Sequence, residues 1–233
     1  MSAIFKRELK SYFLNPIGFV ILGVFTCFSG IFFALIFSRG MPNVEYVVST
    51  MAGILIYAIP FITMRLISED RRQKVDQALL TAPVSVTGIV MGKFLAALTL
   101  YGAGFSITLL YQLIIAFYIT TNWLVYLYAL LGALLLGAAI ISIGMFISSL
   151  TESPVVSAAI TFGVILASMM ISSYSSQITS PILQKVCTAL AFVDRFYNFS
   201  SSTLNLADIV YMLSIAAVFV FLTVRSVEKR RWA

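Results

Sequence analysis

The sequence predicts an all-α, polytopic membrane protein with a single domain. Hydrophobic residues make up 61% of the 233 residues and charged residues only 10%, which is far from the composition of a soluble globule. The few charges are gathered in short stretches, and the stretches between them are long and uncharged. A helix crosses a bilayer with roughly 20 apolar residues, so several of these stretches are long enough to span.

The first predicted element is an amphipathic helix over residues 1–15. Its basic side chains, among them Lys6 and Lys10, alternate with apolar ones that gather on one helical face, as in a helix that lies in the headgroup plane. A signal peptide is the alternative. The apolar run that follows has 22 residues, however, which is longer than the hydrophobic region of a signal peptide, and no small-x-small cleavage site ends it.

Six apolar stretches predict six transmembrane helices. The predicted spans are residues 17–38, 46–64, 89–118, 124–150, 155–171 and 209–224. Lys93, near one end of the third span, is expected to extend its amine to the membrane surface. Residues 172–208 are polar at both ends and apolar in the middle, and are too short and too charged to span. They predict an external re-entrant or interfacial segment, with an ordinary ordered loop as the alternative.

The positions of the basic residues predict the orientation. Only three of the fifteen lysines and arginines, Arg39, Lys185 and Arg195, lie in the segments predicted to be external, which leaves twelve on the other side. Basic residues favour the cytoplasmic side of a membrane. We therefore expect a multi-pass protein of the cytoplasmic (inner) membrane with both termini and the central charged segment in the cytoplasm. The net charge of +6 reflects this orientation rather than nucleic-acid binding.

The central charged segment, residues 68–82, predicts a short amphipathic helix between the second and third spans. Val75, Ala78, Leu79 and Ala82 fall on one face, charges of both signs cover the other faces, and Pro83 ends the helix. One interpretation is a solvated loop that only sets the orientation. The ordered apolar stripe and the mixed charges favour a surface that docks against another protein.

The residues in and after this segment resemble a known family. The runs Glu69-x-Arg71-Arg72, Ala78-Leu79-Leu80-x-x-Pro83-Val84-Ser85 and Ile89-x-x-Gly92-Lys93 resemble the cytoplasmic loop of ABC-2-type transporter permeases. The similarity is closest to the small permeases of the gliding-motility and nitrous-oxide-maturation type. The chain departs from the commoner pattern at Lys74 and Asp76, where that pattern has Gly-Thr and then Glu.

The resemblance implies a permease subunit that forms a homodimer, or pairs with a similar permease, and binds two cytoplasmic ATPase subunits. ATP and magnesium would then be bound by the ATPase, and no cofactor by this chain. The segment would act as a coupling helix that docks on the ATPase and carries its motion to the spans. The residues implied in this coupling are Glu69, Arg71, Arg72, Asp76, Leu79, Leu80 and Pro83.

The chemistry missing from the sequence limits the function classes. The chain has no histidine, its two cysteines (Cys27 and Cys187) are isolated, and there is no Gly-x-x-x-x-Gly-Lys phosphate loop. The interiors of the predicted spans hold no charged residue, although ion-coupled transporters usually need one there. We therefore expect a non-catalytic subunit whose energy comes from another polypeptide. An alternative is a membrane anchor that passes ATPase motion to an extracytoplasmic partner protein without transport.

Polar and small residues within the spans allow two interpretations. Ser106, Thr108 and Gln112 are candidates to line a translocation path, but hydroxyls in membrane helices commonly bond to their own backbone or to a neighbouring helix. The pair Ala133 and Gly137 has the four-residue spacing of close helix packing. The spacing leaves open whether that packing lies within one chain or between two.

Overall fold

All regular secondary structure in the described part of the chain is helical. The computed structural model describes residues 2–14, 16–40, 44–74, 85–175, 196, 199 and 205–231. The helices are α1 (Ser2–Leu14), α2 (Pro16–Ser38), α3 (Val44–Leu55), α4 (Ile59–Thr63), α5 (Ser68–Arg72), α6 (Val86–Ala116), α7 (Trp123–Leu150), α8 (Pro154–Ser175) and α9 (Leu206–Arg231).

Five of these helices, α2, α6, α7, α8 and α9, are long and apolar enough to cross a membrane. The protein is therefore an integral membrane protein, and the sequence correctly predicted its all-α, polytopic class. The predicted second span, residues 46–64, differs from one straight helix. The chain turns after Leu55 and bends by 53° between α3 and the helical turns that begin at Ile59. If this bent pair counts as one span, the described part of the chain has six candidate spans.

Pro60 accounts for part of this bend. It lies in the first turn of α4, where its missing N–H costs no hydrogen bond, and proline is tolerated at that position and disfavoured inside a helix. The carbonyls before it are therefore satisfied by the short turn bonds Ala58 N–H to Leu55 O and Ile59 N–H to Ile56 O. The predicted second span, residues 46–64, is therefore interrupted after Leu55.

The centre of the bundle is α7, which contacts α3, α4, α5, α6, α8 and α9. Its small residues permit these contacts. A side chain at Gly137 would overlap the ring of Tyr101 on α6, and the Tyr101 hydroxyl donates to the carbonyl of Ala133 at 3.2 Å. The predicted Ala133 and Gly137 packing pair therefore lies within one chain. Gly144 is equally close to Thr63 of α4.

Two further predictions concern the last span and the external segment. The last helix, α9, is ten residues longer than the 16-residue span predicted over 209–224, since it includes the basic residues up to Arg231. Most of the predicted external segment 172–208 lies outside the described residues. Within it, Phe196 and Phe199 are buried in the core, and Phe199 packs against Gly132 in the first third of α7.

Both terminal helices reach the same end of the bundle. Lys93, in the first turns of α6, pairs with Glu8 of α1, while Arg230 of α9 donates to the carbonyl of Ser149 at the end of α7. The start of α5 is bonded to Ser148. We call this end, which carries α1, α5, the start of α6 and the last turns of α7 and α9, the charged end.

Candidate functional site

The charged end is built around Lys93. Its side chain is only 3% exposed, and its Nζ lies 2.7 Å from Oδ2 of Asp70 and 3.0 Å from Oε1 of Glu8. The sequence suggested that this amine extends to the membrane surface. In the structure it is instead buried between the two carboxylates. A buried ammonium needs charged partners to offset its desolvation, and two carboxylates from other helices supply them. This triad joins α1, α5 and α6 through three charges.

Glu8 is held in its ionised form by this arrangement. Burial by itself raises the pKa of a carboxyl group, but Lys93 and the Arg7 guanidinium, which donates to Glu8 at 2.6 Å, outweigh that effect. The pKa of Glu8 is therefore below its ordinary value. Glu8 thus stays ionised at neutral pH.

A serine of α7 fixes the start of α5. The Ser148 hydroxyl accepts from the backbone N–H groups of Ile67 (3.2 Å) and Ser68 (3.0 Å) and donates to the carbonyl of Met64 (3.3 Å). Ser68 also donates to Met64 O. The first N–H groups of a helix have no partner within it, so Ser148 acts as a cap supplied by another helix. Movement of α5 is therefore tied directly to α7.

The short helix ends earlier than the sequence predicted. The prediction of a single helix over residues 68–82 is corrected, because α5 stops at Arg72. Lys74 has φ of +57°, a left-handed conformation that cannot continue a right-handed helix and commonly terminates one. Four of the predicted coupling residues, Asp76, Leu79, Leu80 and Pro83, lie outside the described residues. The chain is described again from Ser85, which caps α6 by accepting from Gly88 N–H.

The other three predicted coupling residues have different surroundings. Arg71 is mostly buried and donates through Nη2 to Glu152, in the turn after α7, at 2.7 Å. Its Nη1 is buried and has no hydrogen-bond partner among the described residues. Glu69 is about one-third exposed and lies 3.6 Å from Arg65, one helical turn earlier. Arg72 is exposed. Only Arg72 and part of Glu69 therefore face outward.

The residues proposed to line a path do not share one face of α6. Ser106 is exposed and donates to the Ala103 carbonyl at 2.6 Å. Thr108 is fully buried, bonds to Phe105 O, and lies 2.9 Å from the Tyr126 hydroxyl on α7. Gln112 is buried on the same face as Thr108. The structure thus brings Thr108 and Gln112 together and places Ser106 on the opposite side, as two residues of helix imply about 200° of rotation.

Sequence reasoning missed four partners in this site: Glu8, Asp70, Ser148 and Glu152. Lys93 itself carried a signal, since an isolated lysine several residues inside an apolar helix requires a partner. The partner's identity depends on which helices meet, and local patterns do not contain that information. Together the contacts make a charged surface that is linked to α1, α6 and α7, so a load applied to α5 reaches three helices at once.

The fold and this site define a class: polytopic helical membrane proteins whose charged end connects a short segment between spans to the bundle. Residues 1–180 match the ABC-2 type transporter family, and the chain belongs to that family. No sequence among the curated proteins matches it. The chain is therefore a permease subunit of an ABC transporter.

Family membership carries two further consequences. ABC-2 permeases pair with an ABC ATPase and dimerise, and they are generally the non-catalytic membrane components of their transporters. No observation supports the alternative role as a membrane anchor that moves an extracytoplasmic partner. The resemblance to gliding-motility and nitrous-oxide-maturation permeases remains a prediction.

Proposed function

We propose that two permease subunits, identical or similar, move a substrate across the cytoplasmic membrane with ATP and magnesium bound by two separate ATPase subunits. The segment that begins with α5 docks on the ATPase and transmits its motion. The single observation that carries this proposal is the attachment of α5 to three helices. Asp70 binds Lys93 of α6, Lys93 binds Glu8 of α1, and the backbone at Ser68 is capped by Ser148 of α7.

The exposed charges of α5 are available to the ATPase, and its buried charges attach it to the bundle. Arg72 points outward and is available to a carboxylate of the ATPase, while Asp70 faces inward to Lys93. Arg71 bonds to Glu152 and its other guanidinium nitrogen is buried, so Arg71 contributes to the inner contacts rather than to the exposed surface. The apolar residues Leu79 and Leu80 complete the docking surface. In this arrangement, contacts between α5 and the ATPase are coupled to the contacts between α5 and the other helices.

The test is co-purification of the ATPase with an Arg72→Glu/Leu79→Asp variant. Truncating a paired interfacial charge typically costs about 2–5 kcal/mol, so reversing the charge of Arg72 and placing a carboxylate at Leu79 is expected to remove most of the bound ATPase. Membrane insertion should persist, because both residues lie outside the spans that the sequence predicts, residues 46–64 and 89–118. Arg225→Glu is the matched control, since Arg225 is also an exposed arginine in the last turns of a helix at the charged end.

Normal ATPase retention in the double variant, at normal membrane level, would contradict docking through this segment. An equal loss in the Arg225→Glu control would assign the effect to net charge instead. A reduced membrane level would be read together with the ratio of ATPase to permease, which measures docking independently of the amount inserted.

The proposed orientation has its own test. Single cysteines at Lys74 and Lys229, both exposed at the charged end, should resist an impermeant thiol reagent added to intact cells. A cysteine at Thr120, exposed at the other end of α6, should react. The background lacks Cys27 and Cys187. Reaction at Lys74→Cys and protection at Thr120→Cys would reverse the orientation inferred from the twelve-to-three charge distribution.

A further inference from the structure

Two adjoining cavities at the charged end differ sharply in polarity. The first, of about 320 Å³, lies between α1, α4 and α5 and is lined by Arg7, Tyr12, Arg65, Glu69 and Asp70. The second, of about 560 Å³, lies between α2 and the bent pair α3 and α4 and is lined almost entirely by apolar atoms. Both volumes are in the range of small-molecule sites.

Phe61 joins the two cavities. Its side chain is 56% exposed and lines both of them, and the neighbouring Met64 and Arg65 line the apolar and the polar one respectively. The apolar groove continues along α2 past Val20, Val24 and Phe28, which are exposed on the outer surface of the bundle. A charged recess therefore opens at its edge into a groove that runs along a membrane span.

The polar cavity presents both signs of charge to solvent. Its guanidinium groups, Arg7 and Arg65, are 46% and 38% exposed, and the Glu69 carboxylate is 34% exposed. Together with Glu8, Asp70 and the buried Lys93, the cluster has three cations and three anions, so its net charge is zero. A ligand that carries one negative and one positive group complements such a surface better than a simple anion does.

We propose that this composite site binds one phospholipid with a zwitterionic, primary-amine headgroup, of the phosphatidylethanolamine type. The phosphate lies between Arg7 and Arg65, the ammonium donates to Glu69, and one acyl chain occupies the groove beside Val24. Arginine recognises phosphate oxygens through paired N–H donors, and an ammonium on a carboxylate makes a charge-assisted hydrogen bond. The proposed headgroup position lies near the start of α2. A lipid headgroup would lie there if α1 is at the membrane surface.

The test is native mass spectrometry of the full-length chain, delipidated in mild detergent and titrated with three lipids. Phosphatidylethanolamine should bind with one copy per chain and about tenfold more tightly than the others, the change expected for one charged hydrogen bond. Phosphatidylglycerol shares the phosphate but has no cation. Phosphatidylcholine has a quaternary cation that cannot donate a hydrogen bond. Equal binding of all three would overturn the proposal.

Two variants separate the contribution of the lipid headgroup to binding from that of the acyl chain. Arg65→Gln/Glu69→Gln keeps the net charge and should abolish the preference for phosphatidylethanolamine. Val24→Trp fills the apolar groove and should weaken all binding, whereas the control Val155→Trp, at a position 74% exposed on α8 and outside the groove, should not. Melting temperatures of the four proteins confirm that each is folded.

Other occupants of the groove give distinct results. If Val24→Trp converts a dimer into a monomer, the groove is covered by a second copy of the chain, and the lipid proposal is wrong. Unchanged phosphatidylethanolamine binding in a folded Val24→Trp protein would also refute it. Neither result depends on ATPase docking, so a failure here leaves the proposed function to its own test.

Discussion

Replacement of Lys93 by methionine should destabilise the permease more than any other single charge removal at the charged end. Methionine has nearly the same length and is apolar, so the change removes the ammonium and leaves the packing in place. Glu8 and Asp70 then lose the partner that lies 3.0 and 2.7 Å away, and two partly buried carboxylates remain near each other. Breaking a buried pair by removing one partner costs about 3–5 kcal/mol.

The measurement is the melting temperature of the purified protein in detergent. For a chain of this size, the loss corresponds to a fall on the order of 10 °C. Lys10→Met is the matched control, because Lys10 is an exposed lysine on α1, and a change of at most a degree or two is expected. The triple variant Lys93→Met/Glu8→Gln/Asp70→Asn removes all three charges and should regain most of the lost stability, since a neutral buried site has no unpaired ion.

The refuting result is specific. If Lys93→Met melts like Lys10→Met, the triad does not hold α1, α5 and α6 together, and the transmission of motion from α5 has to be sought elsewhere. If the triple variant is as unstable as the single one, the lysine acts through packing rather than charge.

Gly137→Val should destabilise the protein by about 1–3 kcal/mol, because the added side chain overlaps the Tyr101 ring, while the control Gly163→Val, with open space around it, should have little effect. Equal melting temperatures for the two variants would contradict the close approach of α6 and α7. Glu152→Gln should cost less than about 1 kcal/mol, because Glu152 is 75% exposed although its oxygen lies 2.7 Å from Arg71; a loss as large as that of Lys93→Met would refute this ranking. Acid should weaken the triad. The pKa of Glu8 is lowered on folding, so its contribution to stability is present above the ordinary value of about 4.3 and is lost as the pH falls through the lowered value. Melting temperatures from pH 6 to 3 should therefore fall less steeply for Glu8→Gln than for the wild type, and identical slopes would argue against it.

The sequence located the helices because uncharged runs define membrane spans almost directly. The bounds of α2, α6 and α7 differ from the predicted ones by no more than three residues at each end. The break after Leu55 was missed, since hydrophobicity continues through it and only Pro60 marks it. Hydropathy reports what a segment can be buried in, and it does not report whether the backbone stays straight.

The candidate site was predicted less completely, for a physical reason. The charges of α5 were recognised as unusual, but Arg71 and Asp70 bind Glu152 and Lys93, which are distant in sequence. Which charge faces inward depends on where the helix starts and ends. Ser148 fixes the start and the left-handed Lys74 fixes the end, and neither feature has a local signature. Arg72 is the residue whose exposure agrees with its predicted docking role.

The positions of the triad in the chain have a consequence for biosynthesis. Glu8, Asp70 and Lys93 all precede α7, α8 and α9 in the chain, so their charges emerge from the ribosome before those helices exist. The junction of α1, α5 and α6 can close while the nascent protein is still being inserted. The bond of Arg230 to the Ser149 carbonyl forms only after α9 has been made. A chain truncated after α6 should therefore already protect α1 from protease, whereas α7 gains its contacts with α9 only after α9 has been translated.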